Sequence, residues 1–310
     1  MDNDIKSLLE LIKNDEALMA SSDRCVREAR HLNVSGLCEQ QKGYIIAALS
    51  YKYSKKPVVL ASDTVRAKAL AESLKPFTDG DILIVEPSEM SIVTAVASSR
   101  DGESERVGTV SRLLRGDYSA AIITAGALAV KMQPKKEFEK SLITLKLGDR
   151  QDPVELTSLL TDIGYERVSS VSVPGEFAAR GDVVDVFSPD LNMPVRFSFF
   201  DDEIDQIKSF DPDNQRSTDS FNKITLCRAR EVILDKKARG QAADKILKSA
   251  ANDINKMNAE SARAAAELLS RTAHADSDAV REGMRITGMA RWLGVILEEP
   301  AIILDYVNKT

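Results

Sequence analysis

Residues 175–216 read GEFAARGDVVDVFSPDLNMPVRFSFFDDEIDQIKSFDPDNQR. Short apolar runs alternate here with acidic turns that contain Pro and Asn, a pattern typical of strands joined by tight hairpins. In the segment 195–200, VRFSFF, successive side chains point to opposite faces of a strand. The face predicted to meet the core carries Val195, Phe197 and Phe199. The opposite face carries Arg196, Ser198 and Phe200.

Phe200 is therefore predicted to stand beside an arginine on a face that ordinarily meets water. Aromatic residues and Arg are enriched at the energetic centres of protein–protein interfaces, so this pair has the composition of a binding hot spot. The alternative is that Phe200 packs, partly covered, against a neighbouring strand. The sequence predicts a partner-binding face on this sheet and leaves the exposure of Phe200 open.

Four motifs in this region form an ordered set: RGDVVDVF, P-x-R, FFDDEID and FDPDNQRS. In this order they resemble the second domain of the nucleotide-excision-repair protein UvrB. The same set resembles the UvrB-like N-terminal part of bacterial transcription-repair coupling factors. A weaker resemblance extends from about residue 34 to the end of the chain.

This resemblance implies a partner and the residues that bind it. In both families the second domain docks the damage-recognition ATPase UvrA. The motif G-E-[FY]-A-x-R-G carries one arginine of that surface, which corresponds to Arg180. The motif P-x-R-x-x-F-F carries two further residues, Arg196 and Phe200. For Arg180 the alternative is a strand-end arginine paired with Asp182 or Asp185.

The resemblance also points to a phosphate loop, which UvrB builds as G-x-x-x-x-G-K-[ST] so that backbone amides, Lys and a hydroxyl hold the phosphates and magnesium. The corresponding residues 34–44 read VSGLCEQQKGY. After Gly36, the order of Lys42 and Gly43 is reversed and no Ser or Thr follows. Glu39 places a negative charge in the loop, where it would repel phosphate. We therefore expect a degenerate loop that binds no nucleotide, and no cofactor for this chain.

UvrB also clamps damaged DNA with a Tyr-rich hairpin, and stacking of this kind needs aromatic rings. Residues 87–117 read PSEMSIVTAVASSRDGESERVGTVSRLLRGD and contain no aromatic side chain. The absence of both the phosphate loop and the hairpin favours a resemblance to the UvrB-like N-terminal part of the coupling factors over a resemblance to UvrB itself. The alternative function is that of a UvrB-like, ATP-dependent protein of the helicase type that binds DNA damage.

Upstream of this domain, three Val- and Ile-rich runs at 57–62, 81–87 and 120–126 alternate with helical segments. Alternation of strands and helices predicts a parallel sheet. The predicted fold class is accordingly α/β: a degenerate helicase-like, P-loop-type domain with a parallel sheet, and inserted in it a small α+β domain resembling UvrB domain 2.

Changes in pattern along the chain predict four segments. Residues 1–30 are expected to be helical, and 31–140 to form the first part of the α/β domain. Residues 141–228 are expected to be the α+β domain that binds UvrA, with Asp152 as the cap of its helix. Residues 229–310 are expected to be a helical continuation of the first domain, ending in a truncation.

The bulk composition limits the function classes. A net charge of -6 argues against strong nonspecific binding to nucleic acid. Three scattered cysteines and the lack of a long apolar run predict a reduced, cytoplasmic protein with no membrane association. We expect no metal site, because the acidic run at 201–205 is better explained as a hairpin turn than as a set of oxygen ligands.

The sequence therefore predicts a non-catalytic module that recruits UvrA. In the full-length protein, RNA polymerase and DNA would be partners of other domains, and an ATP-driven DNA translocase would follow further along the chain. This would link stalled RNA polymerase to nucleotide excision repair.

Overall fold

The computed structural model describes residues 3–28, 31–87, 100–257, 262–286 and 288–307. The chain divides into two compact units. The first contains the described residues of Met1–Pro87 and Arg112–Ala129, and the second those of Ser88–Ser111 and Val130–Val307. The four predicted segment boundaries remain predictions.

The first unit is a three-stranded parallel sheet with helices around it. Its elements follow one another in the order α1 (Asn3–Glu10), α2 (Glu16–Glu28), α3 (Glu39–Tyr53), β1 (Val58–Ala61), α4 (Thr64–Leu74), β2 (Ile82–Val85), β3 (Ala120–Thr124) and α6 (Ala125–Ala129). The helix α5 (Arg100–Arg115) precedes β3 and runs across the boundary between the two units.

The strand order in this sheet is β1-β3-β2, with both pairings parallel. The central strand β3 is buried at every position, which its sequence AAIIT allows because all its side chains but one are apolar. Asp63 begins α4 by accepting a hydrogen bond from the backbone N–H of Arg66 at 2.8 Å. The predicted parallel sheet is confirmed.

The second unit contains the described residues of α5 up to Ser111, followed by the short helix α7 (Lys135–Lys140) and an α+β region. Its elements are β4 (Ile143–Lys146), α8 (Pro153–Asp162), β5 (Glu166–Arg167), β6 (Glu176–Arg180), β7 (Val183–Val186), β8 (Val195–Phe200), β9 (Glu203–Phe210), β10 (Ser217–Ser220) and β11 (Lys223–Leu226). Three helices follow: α9 (Lys236–Lys256), α10 (Arg263–Arg281) and α11 (Ala290–Ile296).

Six strands form the main sheet of this unit in the order β10-β9-β8-β7-β6-β5. The four pairings from β6 to β10 are antiparallel, as the tight turns predicted, whereas β5 pairs with β6 in parallel. The strands β4 and β11 form a separate antiparallel pair.

One face of the six-stranded sheet packs against α8 to form the core of the α+β region. The inward side chains of β8 belong to this core, and so do Leu156 and Leu160 of α8. Asp152 caps α8 with a hydrogen bond of 2.6 Å from the N–H of Val154, and Pro153 occupies the first turn. The predicted cap and the predicted core face of β8 are both confirmed.

The helices α9, α10 and α11 share a second core in this unit, which includes Ile246, Leu269 and Leu293. Trp292 is also buried there, and its indole N–H donates a hydrogen bond of 2.6 Å to Asp276 Oδ2. The Ala-rich sequences of α9 and α10 suit this packing because small side chains allow close helix–helix approach. Along the described ranges, none of the helices is both long and apolar enough to cross a membrane.

Candidate partner-binding face

Phe200, the last residue of β8, is 79% exposed. Its neighbours Phe197 and Phe199 are buried on the opposite face of the same strand, as the alternation of side chains requires. The alternative prediction, a partly covered Phe200 packed on a neighbouring strand, is wrong. A phenylalanine with this exposure leaves most of its apolar surface in water.

The register of the sheet brings the three predicted residues to one face. Arg180 lies opposite Val183, and Val183 lies opposite Ser198 of β8. Directly opposite residues of adjacent strands share a face, and so do residues two positions apart on one strand. Arg180, Arg196 and Phe200 therefore lie on the outer face of the six-stranded sheet, although their role in binding remains a prediction.

Arg196 is the anchored member of this set. Its Nε and Nη2 donate to the two carboxylate oxygens of Asp185 at 2.7 and 2.8 Å, and Nη2 also donates to Gln215 at 2.9 Å. The guanidinium lies 4.5 Å from the ring centroid of Phe210. Hydrogen bonding to Asp185 raises the pKa of Arg196. Because Asp185 is buried, the pair holds the arginine in a fixed orientation on the face.

Replacing Arg196 with alanine is expected to lower the free energy of unfolding by about 1–3 kcal/mol, because buried Asp185 loses its bidentate partner. Urea denaturation measures this change. Arg180→Ala is the matched control and should stay within about 0.5 kcal/mol, since Arg180 is exposed. Equal stability of the two variants would contradict the anchoring role.

Arg180 keeps a different set of contacts from those the sequence suggested. Its Nη2 donates to the backbone carbonyl of Ser169. Within the described ranges it forms no ion pair with Asp182 or Asp185, so the alternative of a paired strand-end arginine is wrong. The carboxylate of Asp185 is occupied by Arg196 instead.

Arg150 is a further cation near Phe200 that the sequence did not reveal. It forms an isolated antiparallel bridge with Glu203, and Glu203 is the register partner of Phe200. Its side chain is 80% exposed and lies 3.9 Å from Asp202. Arg150 belongs to the loop between β4 and α8, so only the tertiary fold places it beside the end of β8.

The acidic residues next to Phe200 form a turn. Asp201 adopts a left-handed backbone conformation with φ 58°, and Asp201 and Asp202 connect β8 to β9. No group of His, Cys, Asp and Glu side chains suited to a metal ion occurs among the described residues. The hairpin turn predicted for this acidic run is confirmed at Asp201 and Asp202, whereas Glu203 and Asp205 belong to β9.

Of the residues 34–44 that were predicted to correspond to a phosphate loop, 39–44 belong to α3. Glu39, Lys42 and Gly43 are therefore helical, and their predicted position in a loop is wrong. Gly36 has a φ of +79°, and Lys42 Nζ lies 2.6 Å from Glu39 Oε1, which engages the cation. Gly43 lies within α3, where an added Cβ would collide with the backbone of Ser73 in α4. In this structure Gly43 serves the close approach of two helices.

The segment without aromatic residues is only partly described. Residues 88–99 lie outside the described ranges, and residues 100–115 form α5. In the sequence, residues 87–117 contain no aromatic side chain.

Comparison with known protein families places the exposed face in a defined domain. The family model of the UvrB interaction domain matches residues 143–231, a range that includes β4 to β11. The outer face with Phe200 lies within the residues that match the UvrB interaction domain.

The whole chain is similar to transcription-repair-coupling factors. It is 26% identical to that of Bacillus subtilis over 274 residues, covering 88% of this chain and 23% of the relative. The factor of Myxococcus xanthus is 29% identical over 293 residues, covering 91% of this chain and 23% of the relative. The factor of Staphylococcus haemolyticus is 28% identical over 313 residues, covering 97% of this chain and 25% of the relative.

The resemblance inferred from the sequence motifs is confirmed by these matches. The chain spans about a quarter of the length of the relatives it matches. Its similarity to the coupling factors extends on both sides of the UvrB interaction domain, because the matches cover most of the chain.

Proposed function

We propose that this chain recruits UvrA through the outer face of its six-stranded sheet and catalyses no reaction itself. The observation that carries the proposal is Phe200, an aromatic side chain left 79% exposed within a UvrB interaction domain. Exposed aromatic anchors flanked by arginines are the residue types that dominate protein–protein binding energies. Arg180 and Arg196 supply that flank from the same face.

The name shared by the relatives supports a role for UvrA recruitment in transcription-coupled repair. A transcription-repair-coupling factor links transcription to repair, and we propose the same role for the protein to which this chain belongs. In this proposal RNA polymerase and DNA bind other parts of the full-length protein, which also contain an ATP-driven translocase. The chain described here supplies the contact with UvrA.

Capture of purified UvrA by the immobilised chain tests the proposal. We expect saturable binding without added nucleotide or DNA, because the face is already exposed in the folded chain. Failure of the wild-type chain to bind UvrA at micromolar concentrations would refute the recruiting role.

The chain is also expected to bind no Mg-ATP in a calorimetric titration. The supporting observations are the ion pair between Lys42 and Glu39 and the absence of a Ser or Thr after Gly43. Glu39→Gln is the matched control, since it releases Lys42 and removes the repelling carboxylate. We expect no binding by this variant either, because the residue order of the loop is unchanged.

Saturable binding of Mg-ATP by the wild-type chain in the micromolar range would favour the alternative of a UvrB-like ATP-dependent protein. The UvrA experiment does not depend on this outcome. The two measurements therefore separate the recruiting role from the catalytic one.

A further inference from the structure

A cavity of about 230 Å³ lies within the second unit, away from the outer face of the sheet. Its walls come from the end of α8, the segment that follows β11, the first turn of α9 and the end of α10. The cavity thus lies between the UvrB interaction domain and the helices that follow it in the chain.

Three arginines line this cavity: Arg230, Arg239 and Arg285. Arg230 donates from Nη1 to the carbonyl of Gly283 at 3.1 Å, and Arg239 donates from Nε to the carbonyl of Leu234 at 2.9 Å. Both guanidinium groups are therefore held by backbone carbonyls, which orient them without neutralising their charge.

Two glycines make room for these arginines. Gly164 and Gly283 have φ values of +93° and +71°, in the left-handed region that favours glycine. A Cβ added to Gly164 would lie 2.8 Å from Cγ of Arg230, and one added to Gly283 would collide with the guanidinium of Arg239. The backbone is thus shaped to admit two long cationic side chains at this point.

The acidic side chains near the cavity do not neutralise all three arginines. Glu103 forms an ion pair of 2.7 Å with Arg285, and its other oxygen accepts a hydrogen bond from the backbone N–H of Glu231. Asp162 is the second carboxylate of the lining. In the described part of the chain, neither Arg230 nor Arg239 forms an ion pair with a carboxylate.

Arg230 shows the effect of this concentration of charge. Burial lowers its pKa, and Arg285 and Arg239 lower it further, against the opposing influence of Glu103 and Glu166. The Nε of Arg230 is inaccessible and has no hydrogen-bond partner among the residues that the structure describes, so no acceptor offsets the charge at that atom.

We infer that this cavity binds a small multivalent oxyanion of the phosphate class. Guanidinium groups present paired N–H donors whose geometry matches phosphate oxygens, and Arg230 and Arg239 both line this cavity. Arg285 also lines it but is engaged by Glu103 and by the carbonyl of Ala229. The volume of about 230 Å³ suits inorganic phosphate or pyrophosphate and is below the roughly 300–1,000 Å³ of sites for larger ligands.

Binding of the anion is expected to join the end of α8 to the helical segment. The anion would contact Arg230 and Arg239, whose side chains pack against Gly164 and Gly283 respectively. A ligand that binds only the folded state raises the apparent stability by mass action. The melting temperature should therefore rise with pyrophosphate concentration.

Calorimetric titration of the intact chain with pyrophosphate, at constant ionic strength, tests the inference. We expect saturable binding of one pyrophosphate per chain, and a loss of affinity of about tenfold or more in Arg230→Gln and in Arg239→Gln. Arg281→Gln is the matched control: it removes the same charge from an exposed arginine that pairs with Asp244, and should change the affinity less than about twofold.

Three results would overturn the inference. The first is absence of saturable binding by the wild-type chain, and the second is an equal loss of affinity in Arg281→Gln, which would indicate general charge attraction. The third is binding of ADP as tight as that of pyrophosphate, which would assign the site to a nucleotide. Should Arg230→Gln fail to fold, Arg239→Gln and Arg239→Lys carry the test, since lysine keeps the charge and loses the paired donors.

Discussion

Replacing Phe200 with alanine is expected to weaken the binding of UvrA about thirtyfold, which corresponds to roughly 2 kcal/mol. The side chain is 79% exposed, so its removal takes away an interface anchor and little packing within the chain. The free energy of unfolding should change by only about 0.5 kcal/mol. Surface plasmon resonance with purified UvrA and a thermal melt of the variant measure the two quantities.

Val154→Ala is the matched control for this experiment. Val154 is 75% exposed on α8, the helix that packs against the inner face of the sheet. Its truncation removes a comparable exposed apolar group on the other side of the domain and should leave UvrA binding unchanged. Undiminished UvrA binding by Phe200→Ala, with the variant folded, would reject the outer face as the docking surface.

Replacing Arg228 with alanine is expected to lower the free energy of unfolding of the second unit by about 3–5 kcal/mol. Arg228 follows β11 and is only 2% exposed. Its guanidinium donates to Ser141 Oγ at 2.8 Å, to the carbonyl of Glu137 at 2.6 Å and to Gln133 Oε1. It also lies 4.7 Å from the ring centroid of Phe138.

These contacts make Arg228 a buried cation satisfied mainly by neutral acceptors. It forms no ion pair with the residues that the structure describes, and burial lowers its pKa to about 10. Truncation would leave several buried acceptors without a donor and would open a cavity. The expected loss is therefore much larger than that for an exposed arginine.

Urea denaturation followed by tryptophan fluorescence measures this loss. Trp292 is the single tryptophan of the chain and is buried in the same unit as Arg228, so its emission reports unfolding of that unit. Arg216→Ala, at an exposed position, is the control and should stay within about 0.5 kcal/mol. Equal denaturation midpoints for Arg228→Ala and Arg216→Ala would show that the hydrogen bonds of Arg228 do not stabilise the fold.

Local patterns in the sequence were sufficient to predict the elements that frame the site. Side-chain alternation in VRFSFF predicted which residues of β8 are buried, because a strand places successive side chains on opposite faces. Asp152 predicted the start of α8, because its carboxylate can accept a hydrogen bond from a backbone N–H of the first turn. Both are interactions between residues a few positions apart.

Partners distant in the chain could not be predicted in this way. The sequence suggested Asp185 as a possible partner of Arg180. The register of β7 and β8 instead places Asp185 directly opposite Arg196. Arg150 lies near the end of β8 because its backbone forms an isolated β-bridge with Glu203. Pairings of this kind depend on strand register, which is a property of the assembled sheet.

The sequence by itself determined the presence of a parallel sheet, the antiparallel strands within residues 143–231 and the face of its strand on which Phe200 lies. Periodicity and capping are local, so they can be recognised without the fold. The tertiary structure was needed to bury Arg228 and to bring Arg230, Arg239 and Arg285 around one cavity. An arginine side chain can be exposed to solvent, form an ion pair or join a buried hydrogen-bond network. Only the residues packed around it in the tertiary structure decide among these.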